Sequence, residues 1–162
     1  MIKIVPEFRG RYFCFSNFSK HGIWLTENCW RSNEFISPSF LNSYWKTAEH
    51  LFQSFKTFDQ EWIQRIQNAK VPSDAKSLGR GAQLRNDWNR VKDIVMYFTV
   101  REKFRQNTDI QKILLETEDA QLVEGNTWGD NYWGVSRNSK HGKNMLGIIL
   151  MKIREEINNG EI

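Results

Sequence analysis

The sequence predicts a mainly helical α+β fold in a single domain, residues 1–162, with a few short strands near the N-terminus. Its length of 162 residues suits one compact domain. Apolar residues make up 40% of the chain, which is enough to form a hydrophobic core. From residue 47 onward the apolar residues recur at helical spacing, whereas the preceding part combines aromatic residues with Ser, Asn and Gly. We therefore expect a multihelical domain whose strands are confined to the front.

The strands are predicted from two short apolar runs, at 12–15 and 23–26. A turn at 20–22 separates them, and a second turn is expected at 37–39. Both runs are short, so each predicts a brief strand.

The helices are predicted from capping residues and apolar periodicity. Thr47 is a candidate N-cap of the first helix, and Pro72 suits the first position of another. The residues 78–81 are typical of a helix end that is marked by glycine. Further helices are predicted over 91–104, 108–115 and 144–157, with a Gly- and Trp-rich loop at 125–142.

Composition narrows the classes of function. A net charge of +4 and a pI near 9.1 are compatible with phosphate-bearing partners, but the excess is too small to establish nucleic-acid binding. Seven Trp, eleven Phe and four Tyr indicate an aromatic core, from which a few rings could be used to stack on purine-like ligands.

The Cys and His residues show no metal-binding pattern. Cys14 and Cys29 lack the spacing of a metal site or a disulfide framework, and His21, His50 and His141 lie far apart. The sequence therefore predicts a chain without metal or cofactor, with reduced thiols, in the cytoplasm of its own cell or of a host. It has no signal-peptide pattern and no apolar run of about 18 residues, so no membrane association is expected.

One acidic residue stands out in the first predicted helix. On a helical wheel of residues 45–58, Glu49, Gln53 and Lys56 lie along one edge of an apolar arc, and His50 points about 100° away. A carboxylate beside aromatic rings is partly desolvated, which tends to raise its pKa. The apolar arc itself contains Trp45, Ala48, Leu51, Phe52, Phe55 and Phe58, with His50, Ser54 and Thr57 on the opposite side.

An ordinary structural role for Glu49 is the alternative. Charged residues at the rim of an amphipathic helix are common, and Glu49 could pair with Lys46 three residues earlier. On the residues alone, this alternative is favoured over catalysis.

Other polar and aromatic residues have paired interpretations. Asn17, after an apolar run, suits recognition of a ribose hydroxyl or a base edge, or it closes an Asx-turn. Arg80, with Arg85 and Arg90, could contact phosphates or simply be a surface residue. Trp88, between Asp87 and Asn89, is either a half-exposed stacking platform or a packing residue at a helix start.

The loop at 125–134 is the most distinctive segment. Two Trp-Gly pairs flank Asp130, and Trp133 belongs to the second pair. Loops that hold aromatic residues, glycine and one acid often build ligand sites on a helical scaffold. The loop is therefore expected to bind a ligand rather than only to pack.

An ordered set of short motifs along the chain resembles the NADAR family, which includes bacterial YbiA-like proteins. The set covers about residues 8–154, and its order is specific although each motif is weak. Three departures are Phe15, where the family usually has Leu, the long irregular segment 26–44, and the additional Trp-Gly pair Trp128-Gly129. The motifs are Phe15-Ser16-Asn17-Phe18, residues 48–56, residues 75–80, Trp88, residues 95–96, 103–104, 114–117 and 122–124, Asp130-Asn131-Tyr132-Trp133-Gly134, residues 142–147 and residues 150–154.

The resemblance implies a YbiA-like fold and an N-glycosidase, a hydrolase that breaks a carbon–nitrogen bond at ribose C1′. Two activities are associated with the family: removal of ADP-ribose from modified guanine in nucleic acid, and hydrolysis of phosphoribosylamino intermediates of riboflavin biosynthesis. The implied partners are an ADP-ribose-bearing or phosphoribosyl substrate, with ADP-ribosylated single-stranded DNA as one form. A non-catalytic reader of ADP-ribose or single-stranded nucleic acid is the rival.

The resemblance also implies roles for particular residues. Glu49 matches the essential glutamate of the family, and we expect it to act at C1′ as base, nucleophile or electrostatic stabiliser. Asp130 is the second catalytic candidate, which would orient a ribose hydroxyl or assist the leaving group. The expected substrate-binding residues are Trp88 and Trp133 for the flat base, Lys56 and Arg80 for phosphates, and Asn17 and Asn144 around the pocket.

Overall fold

A computed structural model of the protein describes residues 3–30 and 40–162. These residues fall into two compact units, one of residues 17–30 and 40–103 and the other of residues 3–16 and 104–162. Helices dominate both units, which confirms the mainly helical α+β class. The helices are α1 (Glu27–Trp30), α2 (Ala48–Ser54), α3 (Gln60–Asn68), α4 (Pro72–Gly81), α5 (Trp88–Gln106), α6 (Thr108–Leu115) and α7 (Met145–Asn158), with a 3-10 helix at Gly10–Phe15; the strands are β1 (Ile4–Val5), β2 (Ile23–Leu25), β3 (Ser43–Trp45), β4 (Gln121–Leu122), β5 (Gly125–Asn126) and β6 (Val135–Ser136).

The unit of residues 17–30 and 40–103 is built around α2. Strands β2 and β3 pair antiparallel and lead into this helix, with Ile23 opposite Trp45. Helices α3 and α4 pack against α2 and against each other. Aromatic rings fill the core: Phe40 and Phe55 stack with centroids 4.6 Å apart, and Phe98 meets Phe55 edge-on at 6.1 Å. All seven residues of α2 are buried, so neighbouring elements surround this helix.

The other unit holds two parallel strand pairs, β1 with β4 and β5 with β6. Helices α6 and α7 pack together, and the 3-10 helix packs on α6. Buried Arg154 donates to Thr117 Oγ1 at 2.7 Å and to the Ala120 carbonyl at 2.9 Å. These bonds link α7 to the turn that precedes β4.

The predicted strand at 12–15 is wrong, because these residues belong to the 3-10 helix. Cys14 and Phe15 are both buried, whereas consecutive residues of a strand point to opposite faces. Tyr12 and Phe15 pack together with ring centroids 5.5 Å apart. Residues three apart align in a 3-10 helix, so this geometry brings the two rings together.

Most predicted helix boundaries are confirmed. Thr47 caps α2, Pro72 opens α4, and α6 spans the predicted 108–115. Helix α2 ends earlier than the wheel assumed, so Phe58 lies beyond it and is 59% exposed instead of completing the apolar arc.

Several short elements of the fold differ from the prediction. Helices α1 and α3 were not predicted, and neither were strands β1, β3, β4, β5 and β6; the last three strands lie between α6 and α7 and not near the N-terminus. The turn expected at 37–39 lies outside the described residues.

Within residues 3–30 and 40–162, no helix is long and apolar enough to cross a membrane. The same residues contain no group of three His, Cys, Asp or Glu side chains that could hold a metal ion. Both Cys14 and Cys29 are buried and are not joined in a disulfide.

Candidate active site

The N-terminus of α2 is fixed by Thr47 and His50. Thr47 Oγ1 accepts from the His50 backbone N–H at 3.3 Å and lies 2.8 Å from His50 Nδ1. His50 Nε2 lies 3.2 Å from the Ala69 carbonyl, which can only accept, so Nε2 carries the proton. The His50 ring is fully buried in these contacts and serves the architecture of the helix start.

His50 should make the protein less stable in acid. The pKa of His50 lies below the ordinary 6.5, and burial of the ring is the largest cause of this shift. As pH falls below 6.5, the unfolded chain takes up the proton first, and the free energy of unfolding decreases by up to about 1.4 kcal/mol per pH unit. Urea unfolding of the wild type and of His50→Gln between pH 7.5 and 5 should show a smaller pH slope in the variant. The exposed His141→Gln should keep the wild-type slope, and equal slopes in all three proteins would contradict this role of His50.

Glu49 is a buried carboxylate rather than a rim charge. Its side chain is 5% exposed, and Gln53 Nε2 donates to its Oε1 at 2.7 Å. The pairing with Lys46 that the sequence allowed is not formed among the described residues. Lys46 Nζ instead donates to the Ala69 carbonyl at 2.8 Å. Removing a carboxylate from water is unfavourable without compensating partners, so the position of Glu49 requires a specific environment.

Asn17 joins this environment through both its backbone and its side chain. Its carbonyl accepts from the Glu49 backbone N–H at 3.0 Å, which places Asn17 at the start of α2. Its Nδ2 lies 3.2 Å from the Met96 sulfur. The buried Oδ1 has no hydrogen-bond partner among the described residues and can accept from a ligand hydroxyl or amine.

Positive charge lies close to this carboxylate at Lys56. Burial lowers the pKa of the Lys56 ammonium, the negative charge of Glu49 opposes that shift, and Lys76 and Arg80 reinforce it. Glu49, Lys76 and Arg80 therefore each lie within electrostatic range of Lys56. Lys56 and Lys76 are half-buried and Arg80 is exposed, so the positive charges around Lys56 extend to the solvent-exposed surface. Phosphate groups prefer such a setting.

Aromatic rings form the wall beside these charges. Lys56 Nζ lies 5.8 Å from the Phe52 ring centroid and 5.9 Å from that of Trp88, and the two rings are 5.3 Å apart. Lys76 Nζ lies 5.7 Å from the Phe18 ring centroid. Trp88 is 8% exposed and opens α5, so it is a wall packed on Phe52 and not the half-exposed platform that the sequence allowed.

We call this group the Glu49 cluster. It contains five of the residues that the sequence selected for the site and three that it did not select. Signals for those three existed: Lys76 lies one helical turn before Arg80, Phe18 follows Asn17, and Phe52 lies on the apolar arc of α2. The members are Asn17, Glu49, Lys56, Arg80 and Trp88, with Phe18, Phe52 and Lys76 in addition.

The remaining predicted site residues belong to the unit that contains α6 and α7. Asp130 Oδ1 accepts from the backbone N–H groups of Tyr132 at 3.0 Å and Trp133 at 2.9 Å. Asn126 bonds both the N–H and the carbonyl of Asp130. The half-buried Trp133 ring meets Tyr132 edge-on at 5.0 Å. One oxygen of Asp130 thus shapes the loop that presents Trp133.

Asn144 has a structural position at the start of α7. Its Nδ2 donates to the Leu122 carbonyl at 2.8 Å, and its Oδ1 accepts from the Glu124 N–H at 3.0 Å. The residue is buried and has a left-handed φ of 54°. Its amide therefore ties α7 to the chain around β4, a role that the sequence did not predict.

Comparison with known proteins agrees with this fold. The NADAR domain profile matches residues 7–158, so the chain belongs to the NADAR domain family. An N-glycosidase of Nostoc punctiforme is 41% identical over 153 residues, which cover 91% of this chain and 87% of that protein. The N-glycosidase YbiA of Shigella boydii is 41% identical over 115 residues, 70% of this chain and 71% of that protein.

Two further matches extend the comparison. A riboflavin biosynthesis protein of Vibrio vulnificus is 39% identical over 115 residues, 70% of this chain but 31% of that longer protein. The NMR structure of the Escherichia coli protein YbiA superposes with a TM-score of 0.78 at 31% identity, covering 99% of this chain and 89% of that one. With relatives of this similarity over most of its length, the chain is an enzyme of the N-glycosidase class.

Proposed function

We propose that the chain hydrolyses the bond between a base nitrogen and C1′ of a phosphate-bearing ribose, and that its substrate is ADP-ribose attached to modified guanine in nucleic acid. The observation that carries this proposal is the buried carboxylate of Glu49 within electrostatic range of Lys56, which is also within range of Lys76 and Arg80. The carboxylate suits a centre that becomes positive, and the cations suit the phosphates of the same ligand.

The chemistry follows from these charges. As the C1′–N bond breaks, its electron pair leaves with the base nitrogen and positive charge develops on the ribose. Glu49 stabilises that charge or takes a proton from the attacking water, whose oxygen forms the new bond to C1′. The departing nitrogen gains a proton, so the products are the unmodified guanine, still within the nucleic acid, and released ADP-ribose. Asn17 Oδ1 is available to accept from a ribose hydroxyl or a base amine.

Asp130, Trp133 and Asn144 stay candidate substrate contacts in this proposal. Asp130 can be tested because Asn in its place keeps the Oδ1 acceptor for the N–H groups of Tyr132 and Trp133. Loss of turnover in Asp130→Asn at an unchanged melting temperature would support a catalytic role for its charge. Full turnover would show that Asp130 only stabilises the loop and has no catalytic role.

A second candidate substrate is a phosphoribosylamino intermediate of riboflavin biosynthesis. It is favoured by the name of the Vibrio vulnificus relative, and it offers the same C1′–N bond and a phosphate. For nucleic acid, the modified base would have to be in a single strand or flipped from the helix to be reached.

One paired assay separates these possibilities. ADP-ribosylated single-stranded DNA and the phosphoribosylamino intermediate are each incubated with the protein, and the products are identified by mass spectrometry. Restored unmodified DNA with released ADP-ribose supports the first substrate, and a free base with ribose phosphate supports the second. Binding without turnover of either would favour the non-catalytic reader. A steep loss of affinity with salt would then indicate nucleic acid instead of a nucleotide.

Lys56 should give the activity an alkaline limit. Because burial lowers the pKa of Lys56 below 10.5, its ammonium loses the proton at a lower pH than an exposed lysine does. With the charge lost, phosphate binding weakens and kcat/KM falls as pH rises. Lys56→Arg stays charged and should move that fall to higher pH. Lys56→Met should raise KM about 10- to 100-fold at pH 7.5, since a lost bond to a charged group is worth roughly 1.5–3 kcal/mol.

The control for this prediction is Lys70→Met, which removes an exposed lysine from the loop before α4. It should leave KM and the pH profile unchanged. An equal rise of KM in both methionine variants would indicate a general charge effect and would contradict a specific role for Lys56.

A further inference from the structure

Gln53, which lies next to Glu49, and Gly79, which lies next to Gln53, have features that stability alone does not explain. Gln53 lies one helical turn after Glu49 and is 3% exposed. Its Nε2 donates to Glu49 Oε1 at 2.7 Å. A carboxylate only accepts hydrogen bonds, so this bond fixes which end of the Gln53 amide faces Glu49.

The other end of the amide is left without compensation. Gln53 Oε1 is buried and has no hydrogen-bond partner among the described residues. Turning the amide over would place an N–H there but would also direct an oxygen at the carboxylate of Glu49. An unpaired buried acceptor is unfavourable, and this one is present because the amide is oriented to donate to Glu49.

Gly79 provides the space that this arrangement needs. It lies inside α4, where its φ is not positive and where alanine would favour the helix more. A Cβ at this position would lie 2.1 Å from Gln53 Oε1 and 2.9 Å from Gln53 Cβ. Glycine is therefore required by the close approach of Gln53 and not by the backbone conformation.

We infer that Gln53 is a positioning residue for the reaction, which holds the carboxylate of Glu49 in a fixed orientation and favours its ionised form, and that Gly79 makes room for it. Two locally unfavourable features, an unpaired amide oxygen and a glycine within a helix, converge on one side chain. Both become understandable if the orientation of Glu49 is what they maintain. This inference rests on the proposed function of Glu49.

The first variant to test is Gln53→Met, which keeps a long side chain and removes the donor. The assay uses whichever of the two substrates the wild type hydrolyses. We expect kcat to fall about 10- to 100-fold, the range for loss of one bond to a charged group. We expect KM to stay within about twofold, because the change affects the carboxylate rather than the phosphate contacts.

The pH profile separates positioning from packing. A donor to the ionised carboxylate lowers its pKa, so its removal should shift the acid limb of kcat/KM to higher pH. A residue that only packs would change the melting temperature and leave the limb in place. If Gln53→Met keeps the wild-type kcat and the wild-type acid limb while Glu49→Gln is inactive, the positioning role of Gln53 is overturned and the proposed function stands. A fully active Glu49→Gln overturns the proposed function instead.

Gly79→Ala provides an independent route if Gln53→Met does not fold. Its methyl group should displace Gln53 and lower kcat to a similar extent. The double variant Gln53→Met with Gly79→Ala should have the same kcat as the less active of the two single variants, because both changes break the Gln53–Glu49 hydrogen bond. Gly81→Ala, in the same helix, is the matched control, since its Cβ would meet only the Trp62 ring, at 3.3 Å. Wild-type kcat in Gly79→Ala overturns the inference.

Discussion

Replacing Glu49 by glutamine should lower kcat by roughly 10²–10⁴-fold, the usual contribution of a positioned acid–base group. Glutamine has nearly the same shape, and its amide oxygen can still accept from Gln53 Nε2. The buried site therefore keeps its packing and loses only the negative charge. Turnover of the substrate identified by mass spectrometry and the melting temperature are measured on the same preparation. We expect the turnover to fall strongly and the melting temperature to change little.

Glu61→Gln is the matched control for this variant. Glu61 is also in the first turn of a helix, α3, but it is exposed. It should retain wild-type kcat and KM. If Glu49→Gln keeps full activity on both candidate substrates, Glu49 is not the reactive carboxylate and the proposed mechanism is wrong.

Replacing Gly147 by alanine should be the most destabilising of the small substitutions considered. A Cβ on this residue of α7 would lie 2.2 Å from the Leu122 carbonyl oxygen and 2.4 Å from Asn144 Nδ2. Those two atoms are bonded to each other at 2.8 Å, so the methyl group would separate α7 from β4. Overpacking of this kind costs about 2–3 kcal/mol and should lower the melting temperature by roughly 4–12 °C.

Urea unfolding measures this effect directly, with Gly81→Ala as the control. Gly81 is the last residue of α4, and a Cβ there has no contact with backbone atoms within 4 Å outside its own helix. Both variants gain the same helix-favouring methyl group, so the difference between them isolates the clash at Leu122. Equal stability of the two would show that α7 moves away without loss.

The sequence alone located the helix of Glu49 and its start. Thr47 has the side chain that suits an N-cap, and the following apolar spacing fits one face of a helix. Local chemistry also explains why Pro72 and the segment 108–115 were predicted correctly. The 3-10 helix at Gly10–Phe15 was missed because its residues favour a strand locally, and packing among Phe8, Tyr12 and Phe15 prevails.

The environment of Glu49 could not be predicted from local sequence. On the wheel it was a rim residue within reach of Lys46, since the periodicity of one helix cannot show what covers its polar edge. In the structure, Lys46 binds the Ala69 carbonyl, Glu49 lies within electrostatic range of Lys56, and Lys76 and Arg80 of α4 bring further positive charge within range of Lys56. Lys76 and Arg80 belong to another helix, and only the tertiary packing of α4 against α2 brings them near Lys56.

The sequence by itself therefore determined the mainly helical class, the start of α2 and the choice of Glu49 as the residue to test, because caps, apolar spacing and ordered motifs are local properties. Tertiary structure decided that Glu49 is buried, that Gln53 bonds to it, and that Gly79 leaves space for Gln53. Burial, unpaired acceptors and close approaches depend on which elements meet. Local sequence does not specify these contacts between elements, because they form only when α2 packs against α4.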